Sequence, residues 1–237
     1  MMNVMLLLAL AAAPAGSYNA GNAHYSAGKY GEAISAYRQA LEQADHPHLR
    51  YNLGNAYFKD GRLGMAVVQY RRARAMAPRD WDIASNLEFI RSYRIDKLPT
   101  QAGPLEAFLA RAFTRFSGRE ASLYAGLCFL LAAALVSLRL ALERRWIILA
   151  SIPAMLAFTY FLAVSQTWQA ERRSNPGAVA AREVSALSGP GEEFKEILLL
   201  HDGTEVRIRE ARGGYLLVQL PGGIGGWVPE GAVERIY

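Results

Sequence analysis

Between Ala121 and Leu138 the chain runs for 18 residues without a charged side chain, and from Trp146 to Ala170 it runs for another 25. Each stretch is long enough to cross a hydrocarbon core of about 30 Å as a helix. Only residues 139–145 separate them, with Arg139, Glu143, Arg144 and Arg145, which leaves room for a tight reversal and nothing more. Trp146 and Trp168 stand about 33 Å apart at helical rise, the separation expected of two interfacial anchors. A buried soluble hairpin of this apolarity would need more partner surface than a chain of 237 residues supplies. The pattern predicts a two-helix transmembrane hairpin over 121–170.

The overall hydrophobic share of 52% is not evenly spread along the chain. Residues 16–95 carry a net charge of +4, 96–174 another +4, and 175–237 carry −3. No Lys/Arg stripe with interleaved aromatics appears, so nucleic acid is excluded as a partner class. Cys128, the one cysteine, lies in an apolar run, which rules out an intrachain disulfide and a thiolate metal cluster. At the N-terminus an apolar core from Val4 to Ala13 precedes Ala13-Pro14-Ala15, small residues placed as for cleavage. Residues 1–15 are therefore expected to be a signal peptide, although Met1-Met2-Asn3 has no Lys or Arg, and an uncleaved anchor is the alternative. Residues 96–120 form an amphipathic linker, setting Leu105, Phe108, Leu109, Phe113 and Phe116 against Arg111, Arg115 and Arg119. It reads as a helix lying on lipid headgroups, or else as a short helix packed under the preceding domain.

That preceding domain contains a phrase written twice. Gly21, Gly28, Ala33, Tyr37 and Ala40 recur as Gly54, Gly61, Ala66, Tyr70 and Ala73, each at a shift of 33. Small residues and aromatics at these helical offsets resemble the tetratricopeptide helix–turn–helix unit, in which glycine and alanine let paired helices approach closely. The family period is 34, so one residue is missing, by this reading near Asp45-His46-Pro47. Two units expose an apolar edge that needs capping. The stretch after Pro78 answers that need: Asp80 is a candidate N-cap for a helix whose Ile83, Leu87, Ile90 and Tyr93 form an apolar stripe. The repeat domain with its capping helix is placed at 16–95. Tyr18, Asn19, Asn22 and Tyr25 of the first unit and Tyr51, Asn52, Asn55, Phe58 and Lys59 of the second repeat on one face. Amides suited to peptide backbone beside aromatic anchors make that face the candidate peptide-binding groove, with Lys59 and Arg50 available to an acidic residue. Packing of Tyr18 and Tyr51 within the repeats is the competing reading.

After Asn175-Pro176-Gly177 the pattern changes to short, glycine-punctuated strands, such as the strictly alternating Glu205 to Arg209. So many short strands in about 60 residues imply a small barrel. Val184, Ser188-Gly189-Pro190-Gly191, His201-Asp202-Gly203-Thr204, Gly214-Tyr215, Gly226-Trp227-Val228-Pro229 and Ala232-Val233 resemble the bacterial SH3 (SH3b) domain, here 178–237. Ala186-Leu187 departs from the family's Asn or Leu followed by Arg. The resemblance implies a core of Val206, Ile208, Leu216 and Val218 and a ligand face bordered by Tyr215 and Trp227, with a structural role for Trp227 in closing the barrel as the competing reading.

The fold class expected is thus multidomain: an all-α tetratricopeptide array, two transmembrane helices and a C-terminal all-β SH3-like barrel. In that order, the elements together resemble the BatE-like members of the Bat aerotolerance family. That resemblance implies a multi-pass bacterial inner-membrane protein working beside membrane-anchored von Willebrand A-domain Bat proteins and, indirectly, a MoxR-type ATPase. Two spans put the repeats and the barrel on the same side, and the signal sequence with the Arg139, Arg144, Arg145 cluster points to the extracytoplasmic side. The lipid bilayer is a partner in any case, and peptidoglycan is a possible ligand of the barrel.

Chemistry-bearing constellations are few. His24, His46, His48 and His201 are scattered, and His46-Pro47-His48 has no carboxylate pair beside it to complete a metal site. The Ser-Gly-Pro-Gly turn lacks the Lys-Ser/Thr and following helix of a phosphate cradle. No nucleophile–base pair stands out, so the expectation is a non-enzymatic scaffold without cofactor, catalytic or metal residues. A peptidoglycan-binding wall module and a cytoplasm-facing membrane adaptor are the alternatives.

Overall fold

The computed structural model describes residues 16–96, 103–143 and 146–237. The expected signal segment 1–15, and Arg144 and Arg145 at the hairpin tip, lie outside them. The chain divides into two compact units, one joining the N-terminal helices through residue 100 to residues 174–237, the other spanning 101–173.

The first unit begins with α1 (16–26), α2 (Tyr30–Gln43), α3 (Pro47–Lys59), α4 (Leu63–Met76) and α5 (Trp81–Tyr93). The reversals from α1 to α2 and from α3 to α4 pass through Gly28 and Gly61 at φ 73° and 80°, where a Cβ would be strained. Within each pair the helices touch because Gly21 lies under the Tyr37 ring and Gly54 under Tyr70. A Cβ at either glycine would stand 2.5 or 2.7 Å from that ring. The missing residue falls where expected: Ala44 to His46 link α2 to α3, whereas the longer Ala77 to Asp80 link α4 to α5. Asp80 caps α5 by accepting from the N–H groups of Asp82 and Ile83. Ile83, Leu87 and Ile90 are fully buried, each contributing about 1.5–3 kcal/mol. Tyr93 leaves the expected stripe and is 56% exposed.

The unit is completed by a seven-stranded antiparallel sheet in the order β3-β2-β6-β5-β4-β1-β7. Its strands are β1 (Pro176–Val179), β2 (Glu183–Leu187), β3 (Glu196–His201), β4 (Glu205–Arg212), β5 (Tyr215–Gln219), β6 (Gly225–Pro229) and β7 (Val233–Arg235). A short 3-10 turn joins the last two. Val206, Ile208, Leu216 and Val218 are buried in its core with Leu200 and Val228. β1 is buried along its whole length between β4 and β7, and it packs on α4. Ala178 of β1 and Ile236 after β7 belong to the helical core as much as to the sheet.

The second unit holds α6 (Pro104–Phe113), α7 (Gly118–Leu142) and α8 (Ile147–Arg173). α7 and α8 are both long and apolar enough to cross a membrane. They pack along small residues, Ala121, Ala125 and Ala132 on α7 and Ala154 and Ser165 on α8, and Ser122 and Ser165 share a hydrogen bond of 2.9 Å. Most of their large apolar side chains face outward; Leu123, Leu130, Leu149 and Leu156 are each more than 60% exposed. Ser117 and Glu120 form a capping box at the start of α7.

Candidate functional site

The repeated asparagines and tyrosines form a polar ladder between successive helices. The Tyr37 hydroxyl donates to Asn22 Oδ1 at 2.7 Å, and Asn52 Nδ2 reaches the Tyr18 hydroxyl and Asn22 Oδ1 at 3.0 and 3.3 Å. One step on, Tyr70 donates to Asn55 Oδ1 at 2.6 Å, while Asn86 Nδ2 reaches the Tyr51 hydroxyl and Asn55 Oδ1 at 3.0 and 2.9 Å. Burial pushes the Tyr37 hydroxyl up to about 12 and Tyr70 higher still, so both remain neutral donors. Tyr18, Asn22, Tyr51, Asn52 and Asn55 are therefore brought together, and the carbonyl oxygens of Asn22 and Asn55 each accept twice within the array. Asn86 completes the ladder. It stands 34 residues after Asn52, so a search at a shift of 33 passes over it.

Outside the ladder the groove residues diverge. Asn19 and Lys59 are exposed, Tyr25 packs edge-on against Tyr30 at 5.5 Å, and Arg50 is committed to Asp45 and Gln69. Phe58 makes an aromatic cluster with two residues that the repeat pattern did not single out. Its ring lies 5.7 Å from both Phe89 and Tyr93, which are 4.8 Å from each other. Phe89 is 49% exposed, so the cluster presents large apolar area to solvent. The signal for it was present in the Phe89–Tyr93 spacing of four, which sets both rings on one side of α5.

The other side of the array is occupied. His201 to Glu205, the turn between β3 and β4, plugs into the start of α4 and the end of α5. Arg62 provides no side-chain cap for α4, and Asp202 supplies it from the sheet, accepting from Leu63 N–H at 2.7 Å and Gly64 N–H at 2.6 Å. A Cβ on Gly64 would collide with the Val179 carbonyl, so only glycine permits this approach. Asp96 accepts from His201 N–H at 2.9 Å and from the Thr204 hydroxyl at 2.6 Å, and faces His201 Nδ1 at 2.9 Å. Glu205 meets Arg71 at 2.7 Å, Arg91 at 2.9 Å and Arg94 at 3.2 Å. Arg72 donates to the carbonyls of Arg235, the last residue of β7, and of Ile236 just after it. Tyr215 and Trp227 are half-buried on neighbouring strands, and the Arg212 guanidinium lies 5.9 Å from the centre of the Trp227 ring.

The paired helices, the glycine–tyrosine contacts and the asparagine ladder are the marks of a helical repeat. Residues 18–80 match the tetratricopeptide repeat family. The match covers α2 to α4 with most of α1 and ends at the residue that caps α5. No curated protein matches the chain. Tetratricopeptide repeats bring protein partners, so this chain carries a protein-interaction scaffold. Its exposed aromatic cluster lies at the C-terminal end of the tetratricopeptide array, and the sheet covers α4. Among the described residues no group of three or more His, Cys, Asp or Glu side chains converges as metal ligands do.

Proposed function

We propose that the protein is a non-enzymatic, membrane-anchored scaffold of the cell envelope that holds a peptide segment of a partner against its tetratricopeptide repeats. The observation that carries the reading is the half-exposed cluster of Phe58, Phe89 and Tyr93, an anchor of the kind that dominates protein interfaces. α7 and α8 supply the anchor, with repeats and sheet on the extracytoplasmic side. The sheet serves as an SH3-like docking module through Tyr215 and Trp227. The order of elements supports a role in a Bat- and MoxR-type stress complex, with membrane-bound von Willebrand A-domain proteins as the partners.

A photo-crosslinking amino acid placed at Asn19, beside the ladder, tests this in intact cells. It should trap a discrete membrane-protein partner, and Phe89→Ser with Tyr93→Ser should abolish that product while the helical melting curve stays unchanged. Persistence of the product in the double variant would count against the cluster as the anchor. Protease protection in spheroplasts checks the orientation. Strong sedimentation of the purified protein with peptidoglycan would favour a wall-bound module instead.

A further inference from the structure

α6 carries an apolar stripe that the described residues of its own unit leave largely exposed. Leu105, Phe108 and Leu109 fall on one side of the helix, and they are 69%, 67% and 43% exposed. Its C-terminal end, in contrast, is fastened to the hairpin. The Tyr160 hydroxyl donates to the Ala112 carbonyl at 2.8 Å, and Trp168 Nε1 donates to the Phe116 carbonyl at 2.8 Å. The Phe113 ring meets Tyr160 at 5.9 Å, and Phe116 packs on Phe161 at 5.2 Å. Tyr160 and Trp168 lie eight residues apart on α8, about 12 Å along its axis.

We infer that α6 is a membrane-embedded interfacial helix, seated in the leaflet at the Trp168 end of the hairpin and held there by anionic phospholipid headgroups. The inference rests on α7 and α8 being membrane-spanning. If Trp168 marks the interface, the fastening to Tyr160 draws the end of α6 below the headgroups. The exposed stripe then continues the lipid-facing surface of α7 and α8. Arg111, Arg119 and Arg173 are exposed around this end of the hairpin, with stems long enough to rest on acyl chains while the guanidinium groups reach phosphate. Of the nearby carboxylates, Glu106 accepts from Gly103 N–H and Glu120 is turned back into the cap of α7, and Glu171 is the third. The basic groups outnumber them, since Arg115 and Arg172 lie in the same region.

Depth measurement on the full chain reconstituted in vesicles tests this. In a Cys128→Ser background, an environment-sensitive label is placed through Phe108→Cys, Ala110→Cys or Leu130→Cys. Nitroxides on lipid acyl chains should quench the label at 108 several-fold more than at 110, and about as strongly as at 130 on α7. Adding phosphatidylglycerol to phosphatidylcholine should increase quenching at 108, and Arg111→Gln with Arg119→Gln should remove that increase. Labels at 108 and 110 equally open to aqueous iodide, with 130 still lipid-quenched, would overturn the embedding of α6 and leave the spanning hairpin standing. An iodide-accessible label at 130 would overturn both. Equal quenching with and without phosphatidylglycerol would overturn the anionic headgroups as the ligand.

Discussion

Glu205 is the residue on which the junction between repeats and sheet turns. Its side chain is 16% exposed and faces three guanidinium groups. Burial alone would raise its carboxyl, but Arg71, Arg91 and Arg94 hold it below its ordinary value of 4.5. Burial also works to raise Asp96, and the hydrogen bonds from Thr204 and His201 bring it below 3.8. Both groups bind protons more weakly folded than unfolded. Their stabilisation is therefore present above about pH 4.5 and is lost as pH falls through their folded values. Asp202 works the other way: burial raises it despite its backbone hydrogen bonds, so its contribution improves as the pH falls and offsets part of the loss. Denaturant melts between pH 7 and pH 3 should show stability dropping below about pH 4.5. Glu205→Gln should lower stability at pH 7 by about 3 kcal/mol, because three cations lose their shared partner, and should flatten the acid limb. A variant with unchanged stability at pH 7 would remove Glu205 from this role.

At the scale of elements, α4 is a helix whose cap comes from 138 residues further along the chain. Asp202→Ala should cost about 0.5–2 kcal/mol, the range for a lost cap, and hydrogen exchange should quicken first at the Leu63 and Gly64 amides. Protection unchanged there would show that α4 does not depend on Asp202. This cap also marks the limit of what the sequence made legible. The repeats announced themselves because Gly21 with Tyr37 and Gly54 with Tyr70 are local pairs, sixteen residues apart, recurring at one shift. Asp80 and the Ile83, Leu87, Ile90 stripe were legible for the same reason, since capping and periodicity act within a few turns. His201 to Glu205 read only as a turn of an SH3-like domain. Its role as a plug depends on Arg71, Arg91, Arg94 and Asp96, which no local pattern connects to it. The groove asparagines were found but their bonding was not. A residue that contacts a ligand and one that bridges two repeats leave the same periodic trace.

For the molecule as a whole, the consequence is that the hairpin interrupts one folded body. The sequence suggested the repeats at 16–95 and the barrel at 178–237 as separate domains. Instead, Ala178 and Ile236 enter the helical core, and Asp202 and Glu205 complete α4 and α5. A chain lacking residues 174–237 should therefore lose repeat stability along with any sheet ligand, so weakened partner binding in such a truncation would not identify a docking site on the sheet. The direct measurement uses two separate fragments, residues 16–100 and 174–237. Loop closure through the hairpin raises the effective concentration of each half for the other, and the contacts should persist without it at ordinary protein concentrations. Mixing the fragments should give a one-to-one complex in analytical ultracentrifugation, with the repeat fragment melting higher in the mixture than alone. Glu205→Gln in the second fragment should weaken that association by about a hundredfold, equivalent to the roughly 3 kcal/mol expected in the intact chain. Two folded fragments that fail to associate would show that the repeats and the sheet are independent after all.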